Sequence, residues 1–169
     1  ANFGTNEEYP SNLYGWSKYV AEQYVVKCGG IGLRYFNVYG PLEDQKGKMA
    51  SVAYQMLEKQ KEGQEIKLFP NKPQRDFVYI KDIVSANIHA LKNYEELSGK
   101  YYEVGSGTAR TFEDVLNNMG IEYDYTSEDV IPNGYQFYTC SDKNKWMSGW
   151  ESTWSLESGI KDYCEYLKK

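Results

Sequence analysis

The chain has 169 residues, with 24 acidic and 19 basic side chains and a formal net charge of −5. This acidic balance argues against nucleic acid or an anionic membrane as the main partner, because both are polyanions. No apolar run approaches the ~20 residues that a membrane-spanning helix needs. Three widely spaced cysteines fit neither a disulfide framework nor a metal site, as expected for a reduced, cytoplasmic protein.

Helical and strand patterns alternate along the chain, which predicts an α/β fold. Residues 1–11 are polar and predict a loop, and the next segment predicts a helix over 12–28. The apolar stripe of that helix consists of Leu13, Trp16, Val20 and Tyr24. The later predicted elements are a strand over 31–38, a charged loop over 42–48, a helix over 49–57, strands over 65–69 and 76–80, a helix over 81–93, a strand over 101–104, a helix over 112–118 capped by Thr111, strands over 121–125 and 135–139, and a helix over 156–167.

Two features invite a functional interpretation that their surroundings do not support. Gly105–Thr108 lies between a predicted strand and a predicted helix, where a phosphate could bind. Arg110 stands where the dinucleotide fingerprint needs its third glycine, so an ordinary turn is predicted. His89 is the only histidine and has no second ligand candidate nearby, so a structural role is predicted for it.

Tyr14 and Lys18 are the first candidates for chemistry. Residues four apart lie on one face of a helix, so the ammonium can approach the phenol. A free phenol has a pKa of about 10, and a nearby positive charge favours its phenolate form. Lowering such a pKa by about three units takes on the order of 4 kcal/mol. With 17 tyrosines in the chain, a tyrosine simply packed on a lysine stem is the alternative.

Three segments together resemble the extended short-chain dehydrogenase/reductase family of nucleotide-sugar enzymes. In chain order they are Tyr14-x-x-x-Lys18, Leu33–Pro41 and Arg75–Asp82. Lys46–Ala53 and the start of the last helix, Leu156–Ile160, are further similar to the ADP-L-glycero-D-manno-heptose 6-epimerases, which serve lipopolysaccharide core synthesis. The resemblance covers nearly the whole chain but matches only the C-terminal half or so of such an enzyme.

The resemblance implies the C-terminal part of a Rossmann-type parallel sheet plus a small substrate-binding lobe, with the N-terminal dinucleotide-binding half missing. Residues 1–169 are then a single fragment, in which the last Rossmann elements are interleaved with the lobe. It also implies NADP as cofactor, with NAD as the other possibility, and a nucleotide-diphosphate sugar as substrate. The full-length enzyme is expected to be a homo-oligomer.

The implied reaction inverts a carbon by transient oxidation to a ketone and re-reduction. The oxygen faces a different wall of the site in each half-reaction, so two acid/base groups are needed. By resemblance these are Tyr14 and Lys46. Lys18 is the third catalytic residue, which assists Tyr14 and contacts the nicotinamide ribose, while Val38 approaches the nicotinamide. Tyr14, Lys18, Val38 and Lys46 thus form the expected cofactor-binding set.

The resemblance also implies a substrate-binding set, which consists of Asn37, Lys48, Gln55, Phe69, Arg75 and Tyr135. A guanidinium matches phosphate oxygens well, so Arg75 is the candidate for the diphosphate. Its alternative is a salt bridge to Asp76 or Asp82. Lys46 lies in a run of charged residues, and such runs are usually solvated loops.

Other functions stay open at this point. A nucleotide-sugar 4-epimerase or 4,6-dehydratase of the same family is one, and a non-catalytic sugar-nucleotide-binding module is another. The coding sequence upstream of Ala1 distinguishes the enzymes from the module. A predicted strand followed by G-x-x-G-x-x-G there favours an enzyme, and absence of that motif favours the module.

We predict that these 169 residues alone bind NADP poorly and do not turn over, because no dinucleotide fingerprint lies within them. Isothermal titration calorimetry of the chain with NADP checks this prediction. Micromolar affinity would contradict the prediction.

Overall fold

Strands and helices alternate along the computed structural model, which describes Pro10, residues 12–132 and residues 135–168. Its α-helices are α1 (Leu13–Lys27), α2 (Val52–Lys61), α3 (Ile80–Lys92), α4 (Tyr94–Leu97), α5 (Phe112–Met119) and α6 (Leu156–Leu167). Its strands are β1 (Ile31–Tyr35), β2 (Asn37–Tyr39), β3 (Lys67–Leu68), β4 (Gln74–Tyr79), β5 (Lys100–Val104), β6 (Ala109–Thr111) and β7 (Asp124–Tyr125). Short 3-10 helices cover Asp44–Met49, Glu128–Val130 and Lys143–Lys145. The predicted α/β class is confirmed.

β1 and β2 follow each other directly but belong to different sheets. β1 pairs in parallel with β5 and ends at Tyr35, opposite Val104. β2 begins at Asn37 and pairs in parallel with β4, whose other edge carries the antiparallel β6. Phe36 lies between the two strands and donates its N–H to the Val104 carbonyl at 3.1 Å. The predicted strand over 31–38 is therefore two strands, because the chain changes its pairing partner at this residue.

Other predictions differ in extent. The strands expected over 65–69 and 121–125 shrink to the two-residue pair β3 and β7, which are parallel. The strand expected over 135–139 is wrong: in that segment the structure has one isolated bridge, between Tyr138 and Gln74. The charged loop over 42–48 contains a 3-10 helix. The loop expected over 1–11 lies outside the described residues, apart from Pro10.

α1 forms where the sequence predicts it, but its apolar stripe does not face the core. Leu13 is 89% exposed, and Trp16, Val20 and Tyr24 are exposed as well. The buried residues of the helix are Gly15 and Glu22. No helix in the described part of the chain is long and apolar enough to cross a bilayer.

Glu22 is the contact that ties α1 to β1. Its carboxylate accepts two hydrogen bonds from the Arg34 guanidinium, at 2.6 and 2.7 Å. That guanidinium also stacks on the Tyr101 ring of β5, 3.8 Å from the ring centroid. Because Glu22 needs this partner when buried, the face of α1 that carries it turns inward. The apolar stripe lies elsewhere on the helix and faces outward.

β4 separates two parts of the core. Side chains alternate between the faces of a strand. Phe77 and Tyr79 pack with Ile160 of α6 in one cluster. Val78 packs with Ala86 of α3 in the other.

Asp76 of β4 is fully buried and holds two other segments with its carboxylate. Oδ1 accepts from the N–H and hydroxyl of Ser106, at 2.6 and 2.7 Å. Oδ2 accepts from the N–H of Gly107 at 3.0 Å and from the N–H and hydroxyl of Ser141 at 2.9 and 2.7 Å. A Cβ at Gly105 would lie 2.5 Å from Oδ2, so this turn closes tightly around the carboxylate. The 105–108 turn is thus structural, as its sequence predicts.

Asp82, at the start of α3, anchors the segment before α6 in the same way. Its carboxylate accepts from the hydroxyl of Ser152 at 2.6 Å, from the N–H and hydroxyl of Thr153, both at 3.0 Å, and from the N–H of Trp154 at 3.1 Å. The C-terminal segment is therefore anchored to the end of β4 before it enters α6.

We predict that Asp76→Ala lowers the free energy of unfolding by about 3 kcal/mol or more, because it leaves several amide donors without an acceptor. Urea unfolding measures this loss. Glu165→Ala, at an exposed position of α6, is the control and should stay within about 0.5 kcal/mol of the wild type. A loss below about 1 kcal/mol at Asp76 would contradict the anchoring role.

Candidate active site

A cavity of about 430 Å³ opens where β1 gives way to β2. Its walls come from the start of α1, from β2, from the 3-10 helix with the start of α2, and from α5 and α6. Of the residues predicted for the site, Tyr14, Asn37, Val38 and Lys46 line it. These four residues, from three separate parts of the sequence, thus meet at one cavity.

Tyr14 reaches the cavity from the first turn of α1. Its side chain is 59% exposed, and the Nζ of Lys18 lies 5.4 Å from the centroid of its ring. The pair is therefore adjacent, as the i, i+4 spacing predicts. Lys18 itself is exposed and lies outside the cavity lining.

A second tyrosine lines the same cavity but is unsuited to proton transfer. Tyr39 is buried, and its hydroxyl donates to the Leu156 carbonyl at 3.3 Å. Burial, together with the neighbouring Tyr79, raises the pKa of Tyr39 far above its ordinary value. Tyr39 therefore stays a neutral donor, which leaves Tyr14 as the more accessible phenol of the cavity.

Asn37 and Val38 form the wall on β2, and both are half-buried. The amide of Asn37 donates to the Asp76 carbonyl across a long 3.4 Å contact. A weak bond of this length leaves the amide available to a bound molecule. The apolar side chain of Val38 lies beside it.

Lys46 lies in the 3-10 helix, half-exposed, with its Nζ 3.7 Å from the carboxylate of Glu43. Glu43 also lines the cavity and is only 2% exposed. The sequence interpretation missed Glu43, because it stands in a run of charges that suggests a solvated loop. No local signal distinguishes a buried glutamate in such a run from its exposed neighbours.

Arg75, Phe69 and Tyr135 form a cluster next to the cavity. The Cζ of Arg75 lies 5.3 Å from the centroid of the Tyr135 ring, and the rings of Tyr135 and Phe69 meet edge to face with centroids 5.1 Å apart. Arg75 also lies 5.8 Å from the ring centroid of Phe112, which lines the cavity. The missed residue Phe112 therefore connects the cluster to the cavity.

Arg75 is buried, yet it has no carboxylate partner among the described residues. Its guanidinium donates to the backbone carbonyls of Gln74 and Gln136. Asp76 and Asp82, the alternative partners, are occupied by the amides and hydroxyls described above. Burial lowers the pKa of the Arg75 guanidinium, and Tyr135 acts in the opposite direction. A desolvated cation without a carboxylate suits an anionic ligand.

Lys48 and Gln55 do not line the cavity. The Nε2 of Gln55 donates to the Ala50 carbonyl at 2.7 Å and to the Lys48 carbonyl at 3.3 Å. The structure thus ties this side chain of α2 to the segment just before the helix. His89, for its part, places Nε2 2.8 Å from the Ser148 carbonyl, which is the structural contact predicted for it.

Known proteins resemble this chain over nearly its whole length. A relative from Brachyspira hyodysenteriae, named ADP-L-glycero-D-manno-heptose-6-epimerase, is 36% identical over 96% of this chain and 56% of its own length. One of the same name from Pseudomonas aeruginosa is 32% identical over 96% of this chain and 59% of its own length. The chain thus spans a little over half the length of these relatives.

Solved structures show the same fold. The Helicobacter pylori ADP-L-glycero-D-manno-heptose-6-epimerase matches with a TM-score of 0.79 and 31% identity, over 99% of this chain and 55% of that one. The Thermotoga maritima UDP-glucose 4-epimerase matches with a TM-score of 0.77 and 29% identity, over 95% and 54%. The model of the NAD dependent epimerase/dehydratase family matches residues 2–105. The chain belongs to the NAD dependent epimerase/dehydratase family.

Proposed function

We propose that this chain is the acid/base and substrate-binding part of a nucleotide-sugar epimerase, with ADP-glycero-D-manno-heptose inverted at carbon 6 as the reaction. The observation that carries the proposal is the convergence of Tyr14, Asn37, Val38 and Lys46 on one cavity. The relatives named above support the sugar, since their names specify it. The product would serve lipopolysaccharide core synthesis in the cytoplasm.

The cavity residues fit the nicotinamide end of a dinucleotide. Val38 and Phe36 offer apolar surface to a flat ring, and Tyr14 and Lys46 line the same cavity from other walls. Lys18, beside Tyr14, would bind the ribose. The nicotinamide supplies the hydride acceptor and donor that a transient oxidation needs. We propose NADP as this cofactor, with NAD as the alternative.

Tyr14 and Lys46 divide the proton transfers between them. Tyr14 exchanges a proton at its Oη with the sugar hydroxyl on one face of the reacting carbon. Lys46 does so at its Nζ on the other face, because a fixed group reaches only one oxygen position within about 2.6–3.2 Å. Asn37 orients the sugar through its side-chain amide.

The Arg75 cluster would hold the nucleotide diphosphate. A buried guanidinium forms charge-assisted bonds to phosphate oxygens that are roughly twice as strong as neutral ones. Phe69 and Tyr135 supply aromatic faces for the adenine and a hydroxyl for the phosphate or sugar. Phe112 lies beside Arg75 and also lines the cavity, so the diphosphate end and the sugar end of such a substrate would lie on either side of it. Lys48 and Gln55 are proposed to line the sugar end when substrate is bound.

We predict that Lys46→Ala in the full-length protein lowers kcat for interconversion of the two ADP-heptose epimers by about 10²–10⁴-fold, the usual contribution of a general acid or base. Proton NMR of the sugar follows the reaction. Lys61→Ala is the control, since Lys61 is an exposed lysine of α2 whose ammonium pairs with Glu58. It should keep wild-type activity.

Two outcomes would contradict this proposal. Failure of the wild-type protein to epimerise ADP-heptose excludes the heptose assignment. Formation of a keto-deoxy sugar that is insensitive to Lys46→Ala favours a 4,6-dehydratase, because a dehydratase does not use this lysine.

We predict that Arg75→Met changes the free energy of unfolding by less than about 1 kcal/mol, because it removes a desolvated cation for which the described part of the chain supplies no carboxylate. The same variant should lose about tenfold or more in affinity for ADP, since a hydrogen bond to a charged group is worth about 1.5–3 kcal/mol. Thermal unfolding and calorimetry with ADP measure the two effects.

Arg34→Met is the matched control for Arg75→Met. Arg34 forms the bidentate pair with buried Glu22, so its loss should cost about 3 kcal/mol of stability. Its affinity for ADP should be unchanged. A large stability loss in Arg75→Met with unchanged ADP affinity would show that Arg75 serves the fold alone.

A further inference from the structure

Glu43 is a buried charge inside a loop that otherwise carries exposed charges. Its Oε1 accepts from the N–H of Ser51 at 2.7 Å. Its Oε2 accepts from the Ser51 hydroxyl at 2.7 Å, from the Tyr163 hydroxyl at 3.2 Å and from the N–H of Gly40 at 3.3 Å. The Nζ of Lys46 lies 3.7 Å from Oε1. All five contacts converge on one carboxylate that is 2% exposed.

These contacts fix the loop at both ends. Gly40 directly follows β2, and Ser51 directly precedes α2 and caps it, accepting from the Tyr54 N–H at 3.3 Å. Tyr163 belongs to α6 and is itself buried. Glu43 therefore ties the segment from 40 to 51 to a helix more than a hundred residues away. Lys46 lies inside that segment.

We infer that Glu43 is a positioning residue: its carboxylate holds the loop closed and holds the Lys46 ammonium at the cavity wall. The role of Lys46 rests on the proposed function above. The anchoring itself rests only on the contacts of Glu43. Within the described residues, Glu43 is the one carboxylate in ion-pair range of Lys46.

Glu43 is unsuited to act as the acid or base itself. Four hydrogen bonds from amides and hydroxyls already engage its carboxylate, three at Oε2 and one at Oε1. Burial and the adjacent Glu43 raise the pKa of Tyr163, so its phenol stays a neutral donor to the carboxylate. Glu43 therefore supplies a fixed negative charge, and Lys46 is the group beside it that can exchange a proton.

The test compares Glu43→Gln with the wild-type full-length protein. Acetylation of each lysine is measured by mass spectrometry at one fixed pH. Removing the carboxylate breaks the ion pair, so the acetylation rate of Lys46 relative to that of Lys48, an exposed lysine of the same loop, should rise about threefold, the size expected for a half-exposed pair. A loop that merely loosens would raise the rates of both lysines and leave their ratio in place.

Glu58→Gln is the matched control, because Glu58 and Lys61 form another i, i+3 pair, at 2.9 Å, in which both side chains are exposed. It should leave the ratio of Lys46 to Lys48 acetylation unchanged. An unchanged ratio in Glu43→Gln, or an equal rise in the control, would overturn the inference. If Glu43→Gln does not fold, Glu43→Asp replaces it. Its carboxylate is one methylene farther away, so the ratio should rise by a smaller factor, and an unchanged ratio would overturn the inference.

Activity gives a separate measurement. If Lys46 is the second acid/base group, Glu43→Gln should lower kcat about tenfold with little change in KM, because misplacing a catalytic group affects the chemical step. An unchanged acetylation ratio in Glu43→Gln contradicts the positioning role of Glu43. Absence of epimerase activity in the wild type, with the change in acetylation ratio present, contradicts the proposed function alone.

Discussion

The carboxylate of Asp76 is the contact on which the sheet edge beneath the candidate site depends. It binds the 105–108 turn and Ser141 to β4. Because side chains alternate along a strand, neighbouring Arg75 and Phe77 face the other way, toward Phe112 and the cavity. Asp76 on one face of β4 thus serves the fold, whereas Arg75 on the other lies toward the site, and Phe77 belongs both to the core and to the cavity lining. An Arg-Asp pair that looks like one motif in the sequence is divided between the two faces.

Three buried acids, Asp76, Asp82 and Glu43, are held in a way that differs from the Glu22–Arg34 ion pair. Asp76 and Asp82 accept from backbone amides and hydroxyls, and Glu43 does the same with one lysine added. Each carboxylate closes a loop that has no regular hydrogen-bond partner of its own. Loops that carry functional residues are held in this way without a covering layer of secondary structure.

Much of the site could be predicted from the sequence, because its residues lie in segments whose order is specific to the family. Tyr14, Asn37, Val38 and Lys46 do meet at one cavity. Helix positions were also predictable, since α5 carries a capping box at Thr111 and Asp114. The ends of the strands were harder to predict. A change of partner, as at Phe36, leaves no trace in local hydrophobicity, and neither does the burial of one glutamate within a charged run.

The two acid/base candidates are held by different means, and this bears on how each can work. Lys46 lies in a loop that Glu43 ties to α6. Tyr14 lies at the start of α1, a helix with an exposed apolar stripe, tied to β1 through the Glu22–Arg34 pair. A misplacement of about 1 Å can cost a catalytic group about a hundredfold in rate. The position of Lys46 is therefore set locally by one carboxylate, whereas the position of Tyr14 depends on how the whole of α1 packs against β1.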